Sequence, residues 1–197
     1  MTAPIRRISV FCGSTAGSRP AYAAAATAAG TLLAARGIGL VTGGGRWGMM
    51  GAVTDAALAG GAEVTGVIPG FLKSLESSHK KITRLEVVAS MHERKARMAD
   101  LADAFLVLPG ALGTLEETLE IATWIQLGLH KKPLGILDVE GYYSPLLAFL
   151  DRSVAEGFLH PVVRAVFLHD TDLGVLFDRM AAWKAPPVEQ WLEKDRT

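Results

Sequence analysis

The chain has 197 residues, 50% of them hydrophobic and 20% charged, which is typical of a globular domain with a substantial core. Its 20 basic residues balance its 20 acidic residues, so a small molecule is a more plausible partner than nucleic acid or an anionic membrane. The single cysteine, Cys12, excludes an intramolecular disulfide and is expected in a buried strand. No apolar run of about 18 residues is present to span a membrane, and the first residues lack the apolar stretch of a signal peptide, so we expect a cytoplasmic protein.

Short apolar runs alternate along the chain with longer helical patterns. The predicted strands cover residues 5–12, 38–42, 63–69, 82–88, 104–108 and 133–137, with a weaker one at 165–168; the predicted helices cover 21–36, 48–59, 91–101, 114–127 and 143–156. This alternation is typical of βαβ units. We therefore predict one doubly wound, Rossmann-like α/β domain over residues 1–197, with a mostly parallel sheet and helices on both faces. A short tail containing Trp191 is expected to follow residue 185 or so.

Ligands of such folds bind outside the carboxyl ends of the strands. Four connections should meet at that edge, namely residues 12–14, 43–45, 90–94 and 109–114. Three of them lead directly into a helix, whose N-terminal N–H groups and partial positive charge suit a phosphate.

Residues 43–48 match G-x-G-x-x-G between a strand and a helix. A dinucleotide site also needs an acidic residue at the end of the next strand, but that strand ends at Pro69 without one, and Glu63 lies at its start. We therefore do not expect NAD. Gly43, Gly44 and Gly45 either make a tight turn or bring the backbone close to a phosphate or ribose. The sequence also lacks a P-loop lysine and the Cys/His spacing of a zinc site, and its five scattered histidines are expected at the surface or as caps.

Two helix starts have charged residues that point either to structure or to chemistry. Residues 90–93 and 114–117 both fit a capping box, so Thr114 and Glu117 have a purely structural interpretation. Alternatively, Glu117 is a carboxylate that stays charged at neutral pH because it lies near a helix N-terminus, and it stabilises an oxocarbenium-like transition state.

The other helix start carries Arg94, Lys95 and Arg97, which oppose the helix dipole. These cations are either solvated and offset by the nearby Glu93 and Asp100, or compensated by an anionic ligand.

Residues 91–96, 101–105 and 109–117 resemble the LONELY GUY (LOG) family of cytokinin riboside 5′-monophosphate phosphoribohydrolases, whose hallmark is P-G-G-x-G-T-x-x-E preceded by an R-K pair. Further matches at residues 11–14, 43–51, 123–128 and 141–143 extend the similarity over nearly the whole chain. The resemblance implies hydrolysis of N6-modified AMP to the free base and ribose 5-phosphate, without a metal or organic cofactor. It also implies that Arg94 and Glu117 are catalytic.

The resemblance further implies a set of substrate-binding residues: Ser14, Gly43, Gly44, Gly45, Met91, Lys95, Gly110, Ala111, Leu112, Gly113 and Thr114. The phosphate would lie on the N–H groups around Gly110, Gly113 and Thr114. Ala111 replaces the second glycine of the hallmark, and an alanine there is strained if the position needs a positive φ and otherwise merely narrows the loop. Proteins of this group have often been labelled lysine decarboxylases, but the sequence gives no convincing pyridoxal phosphate site.

Two rival functions stay open: a broad AMP nucleosidase, and a binding protein like the molybdenum-cofactor carriers, whose fold is similar. We also expect a homodimer through the helix at 114–127, as the resemblance implies. Leu115, Leu119 and Ala122 form one apolar stripe of that helix, and Ile121, Trp124 and Ile125 extend the apolar surface around it.

Overall fold

The structure is a computed structural model that describes residues 4–75 and 78–186. In these ranges the strands are β1 Arg7–Phe11, β2 Gly39–Thr42, β3 Val64–Pro69, β4 Arg84–Val88, β5 Ala104–Val107, β6 Leu134–Leu137 and β7 Phe167–Asp170. The helices are α1 Pro20–Ala35, α2 Gly48–Ala59, α3 Gly70–Leu75, α4 Met91–Leu101, α5 Leu112–Gln126, α6 Ser144–Ala155, α7 Pro161–Arg164 and α8 Leu173–Ala182, with a 3-10 turn at Val139–Gly141.

The strands form one parallel sheet in the order β4-β3-β2-β1-β5-β6-β7. The chain starts at β1 in the middle, winds outward to β4, and then crosses back to β5 on the other side of β1. Because the winding reverses between β1 and β5, the connections that follow these two strands diverge and leave a crevice at their carboxyl ends. The predicted doubly wound α/β fold is confirmed.

Helices cover both faces of the sheet. On one face, Leu33 of α1, Val53 of α2 and Phe177 of α8 pack on the strands, and on the other face Met98 of α4, Ile121 of α5 and Leu147 of α6 do so. Strand β5, next to the central β1, is buried along its whole length, which is why its sequence is a continuous apolar run rather than an alternating one.

All seven predicted strands are confirmed with shifts of one or two residues, and the five predicted helices are also present. The short helices α3 and α7 and the longer α8 were not predicted. The sequence does contain a signal for α8, namely Asp172, an N-cap residue type directly before the apolar residues of the helix. In the structure the Asp172 side chain accepts a hydrogen bond from the N–H of Val175 at 2.8 Å. The predicted tail with Trp191 lies outside the described residues. None of the helices within 4–75 and 78–186 has the length and apolar character needed to cross a membrane.

Candidate active site

A cavity of about 410 Å³ lies at the carboxyl ends of β1 and β5, where the strand order reverses. Eight of the thirteen predicted site residues line it: Ser14, Met91, Arg94, Gly110, Ala111, Gly113, Thr114 and Glu117. The other five, Gly43, Gly44, Gly45, Lys95 and Leu112, are not among the lining residues. The structure also brings in Tyr22, Met49, Met50 and Tyr142, whose role at the site was not predicted. Aromatic and methionine side chains carry no motif of their own, so only their position in the fold identifies them.

Three helices begin near this cavity, and their N-terminal N–H groups have different partners. In α2, the N–H groups of Met49 and Met50 each donate at 3.4 Å to carbonyls of the loop after β1. In α4, Ser90 Oγ accepts from the N–H of Glu93 at 3.1 Å, which confirms the predicted cap, although Glu93 returns its bond to the N–H of Ala89 rather than to that of Ser90. The start of α5 has neither kind of bond and borders the cavity.

The start of α5 corrects one prediction. The helix begins at Leu112, and its N-cap, Ala111, makes no side-chain bond, so the capping box predicted for Thr114 and Glu117 is wrong. Within the described residues, the N–H groups of Leu112, Gly113 and Thr114 have no hydrogen-bond partner. Three free N–H groups at the positive end of a 15-residue helix form a site for an anion. Ala111 has a φ of −106°, so the alanine that replaces the hallmark glycine is not strained.

Side chains from other elements hold the loop before α5 in place. Gly110 has no room for a side chain, because a Cβ there would lie 2.1 Å from Thr114 Oγ1. The hydroxyl of Tyr142 donates to the carbonyl of Gly110 at 2.8 Å, and the hydroxyl of Tyr143 donates to that of Leu108 at 2.9 Å. The N–H of Gly13 donates to the carbonyl of Pro109 at 3.0 Å. The loop is therefore preorganised by the segments after β1 and β6.

Glu117 lies on α5 one turn after the free N–H groups and faces the same cavity. Burial raises the pKa of its carboxyl to about 7, and this effect outweighs the opposing one of the nearby Arg94. The prediction that Glu117 stays fully charged at neutral pH is therefore wrong, because desolvation exceeds any stabilisation by the helix N-terminus. A carboxyl with a pKa near the working pH is suited to accept a proton and to carry charge in turn.

Arg94 of α4 lines the cavity, and the residue is only 7% exposed. Within the described parts of the chain, its one side-chain hydrogen bond is a weak one from Nη1 to Met91 Sδ at 3.8 Å, and Nε is buried without a partner. No ion pair to Arg94 occurs among residues 4–75 and 78–186. A buried cation without an anion is costly, so this geometry suits an anionic ligand.

The other two cations of α4 are neutralised by the protein. Lys95 bonds Glu116 and Glu120 of α5, the latter at 3.0 Å, and Arg97 bonds Glu86 of β4 at 2.6 Å. Burial by itself lowers the pKa of Lys95, but the bonds to the two carboxylates outweigh it, and the net pKa lies above its usual value. The main compensating groups are thus Glu86, Glu116 and Glu120, while Asp100 adds a smaller charge interaction with Arg97. Of the three cations, Arg94 is the one left for a ligand.

Other reactive side chains do not assemble into a second centre. In the described part of the chain no cluster of His, Cys, Asp and Glu has the arrangement of a metal site. Cys12 is buried as predicted, although it lies directly after β1 rather than within the strand. Burial raises the pKa of its thiol to about 12, so it is not a thiolate nucleophile. His160 caps α7 as expected, but His79 is buried against Asp55 at 3.0 Å, which contradicts its predicted place at the surface.

Comparison with known proteins finds relatives over most of the chain. A family profile described as "Possible lysine decarboxylase" matches residues 50–180. The Arabidopsis thaliana protein "Cytokinin riboside 5'-monophosphate phosphoribohydrolase LOG1" is 50% identical over 163 residues, which cover 83% of this chain and 76% of that protein. The rice protein "Probable cytokinin riboside 5'-monophosphate phosphoribohydrolase LOGL9" is 48% identical over 175 residues, or 89% of this chain and 77% of that one.

Solved structures of molybdenum cofactor proteins share the fold. The carrier protein from Chlamydomonas reinhardtii superposes with a TM-score of 0.67 at 17% identity and covers 90% of this chain and 98% of its own. The molybdenum cofactor binding protein from Rippkaea orientalis gives a TM-score of 0.57 at 22% identity, over 74% of this chain and 84% of its own. At these identities the likeness concerns the fold alone. The sequence relatives, by contrast, match at about half of all aligned positions, and the chain belongs to the LONELY GUY (LOG) family of cytokinin riboside 5′-monophosphate phosphoribohydrolases.

Proposed function

We propose that this protein hydrolyses the N-glycosidic bond of N6-modified adenosine 5′-monophosphate and releases the free base and ribose 5-phosphate. The observation that carries the proposal is the layout of α5: free N–H groups at its start and the Glu117 carboxyl one turn later, both facing one cavity. Thr114 and Glu117 are three residues apart, or roughly 5 Å along the helix axis. An anion site and a carboxyl at this spacing match the order of phosphate and ribose in a nucleotide.

Each group has a definite part in the reaction. The 5′-phosphate accepts hydrogen bonds from the N–H groups of Gly113 and Thr114 and fixes the ribose above Glu117. As the bond to the base breaks, positive charge develops on the ribose ring, and the Glu117 carboxylate stabilises it and takes a proton from the attacking water. The water's oxygen bonds to C1′, and the proton that Glu117 takes up is given in exchange for the one that the departing base acquires, so the base leaves neutral. Arg94 supplies positive charge that attracts the anionic ligand and, without forming an ion pair, lowers the pKa of the nearby Glu117 carboxyl. No metal or organic cofactor takes part in this scheme.

The experiment is product analysis with the purified protein and three substrates: N6-isopentenyl-AMP, AMP and adenosine. We expect free base and ribose 5-phosphate from the nucleotides, with kcat/KM highest for the N6-modified one. Adenosine should be a far poorer substrate because it cannot use the N–H groups of α5. Equal kcat/KM for adenosine and AMP would contradict the phosphate placement.

The two rival functions are outcomes of the same experiment. Equal turnover of AMP and N6-isopentenyl-AMP would identify a broad AMP nucleosidase. Binding without release of base would identify a carrier, as the fold shared with molybdenum cofactor proteins allows. We favour hydrolysis because the cavity holds an acid–base group, Glu117, with a pKa of about 7, and a carrier needs none.

We also propose that the protein works in the cytoplasm as a homodimer that contacts its partner through α5. Ile121, Ala122 and Ile125 are buried against the sheet, whereas Leu119 is 41% and Leu112 84% exposed. An apolar surface of this kind on a helix favours association. Light scattering at micromolar concentration should therefore give twice the chain mass, and a monomer under these conditions would refute the dimer. The balanced charge of the chain supports neither nucleic acid nor a membrane as partner.

A further inference from the structure

The glycine loop after β2 does not line the cavity, although its sequence suggested a nucleotide contact. Gly43, Gly44 and Gly45 are all buried. Gly44 has a φ of +77°, so its backbone conformation by itself requires glycine. Gly43 has no such conformation and must be a glycine for another reason.

The space that a side chain would occupy at Gly43 is filled by Arg94. A Cβ built on Gly43 would lie 1.7 Å from Arg94 Nη2 and 2.9 Å from Cζ. Real atoms are never so close, so the guanidinium lies in its present position only because residue 43 has no side chain.

Two methionines lie beside this slot. The Met50 methyl group lies 3.3 Å from the same Cβ position, and Met50 Sδ accepts from the N–H of Gly45 at 3.1 Å. On the other side, Met91 Sδ lies 3.8 Å from Arg94 Nη1. Because no described carboxylate binds Arg94, packing rather than charge fixes the direction of its guanidinium.

We propose that Gly43 is a positioning residue for the hydrolytic reaction and acts through Arg94 rather than on the nucleotide. Its missing side chain forms the slot that aims the guanidinium at the cavity beside Glu117. The inference rests on the proposed function, since it concerns the same site. It gives the first glycine of the G-x-G-x-x-G motif a role in holding a protein cation instead of a ligand phosphate.

The test is a double-mutant cycle with Gly43→Ala and Arg94→Ala. The atom in collision is the end of a flexible side chain, so Gly43→Ala should fold while its guanidinium is displaced. We expect kcat to fall by about 10²-fold, as for loss of a positioned catalytic group, with a smaller change in KM. In a protein that already carries Arg94→Ala, adding Gly43→Ala should lower kcat by less than about threefold, because the two residues act as a unit. Gly70→Ala is the matched control, since a Cβ there meets only ordinary contacts at 3.9–4.0 Å.

If the loss of kcat in the double variant equals the product of the losses in the two single variants, the proposal is overturned, because Gly43 would then act independently of Arg94. If Gly43→Ala does not fold, the double variant should fold again; a double variant that is also unfolded would equally overturn it. The same cycle is measured in AMP affinity and in melting temperature, neither of which requires turnover. If the proposed function is wrong, the unsubstituted protein will not hydrolyse the nucleotide. If this inference is wrong, kcat, AMP affinity and melting temperature will all show no coupling between Gly43 and Arg94.

Discussion

Replacing Glu117 by glutamine should stabilise the protein at alkaline pH while it abolishes most activity. Burial raises the pKa of this carboxyl from 4.5 to about 7, so between these values the folded protein binds more protons than the unfolded chain. Stability is therefore lost as the pH rises through this window, and above it the ionised carboxylate costs about 3 kcal/mol. The amide of Glu117→Gln carries no charge and avoids this cost.

The assay is thermal unfolding of parent and variant at pH 5 and pH 8.5. At pH 5 the difference should be about 1 kcal/mol or less, whereas at pH 8.5 about 3 kcal/mol corresponds to a melting temperature about 6–12 °C higher for the variant. Glu156→Gln is the control, because Glu156 is 58% exposed and the same substitution there removes a carboxyl that is in contact with solvent. A Glu117→Gln variant that melts like the parent at both pH values would refute the desolvation of this carboxyl.

The same variant separates stability from catalysis. Its kcat should fall by at least about 10²-fold, because an amide neither accepts a proton nor stabilises an oxocarbenium ion. Glu116→Gln should be much milder, since Glu116 is 54% exposed and Lys95 keeps its bond to Glu120. Near-normal turnover by Glu117→Gln would leave the residue without a catalytic role.

Three more predictions concern the surroundings of this carboxyl. The kcat/KM for AMP should rise with pH to a plateau, with a midpoint at about 7 set by Glu117; a midpoint near the phosphate's own pKa of about 6 would instead report the substrate. Lys95→Met removes a cation that lowers the pKa of Glu117, so the midpoint should move to higher pH, and an unchanged profile would contradict the coupling. Tyr142→Phe removes the hydrogen bond to the Gly110 carbonyl, worth about 0.5–1.5 kcal/mol, and should raise KM for AMP roughly two- to tenfold with little change in kcat; steady-state kinetics with an unchanged KM would show that the phosphate loop does not need this brace.

The sequence by itself determined the fold class and the edge of the sheet where the site lies. Its apolar runs mark every strand, because buried parallel strands need continuous apolar residues, and the alternation with helices allows few topologies. The motif at residues 109–117 was sufficient to place the proposed phosphate loop and Glu117 on one segment, because these residues are close in sequence and therefore necessarily close in space.

Tertiary structure decided what depends on residues far apart in the chain. Burial of Glu117 by other elements overrides the local effect of the helix N-terminus on its pKa, and Lys95 finds its carboxylates on α5 rather than on its own helix. Likewise, Tyr142 reaches the cavity from the segment after β6, and the space beside Gly43 is filled by Arg94, some 50 residues later in the chain. Desolvation and steric exclusion are sums over all neighbours in space, so no local sequence pattern specifies them.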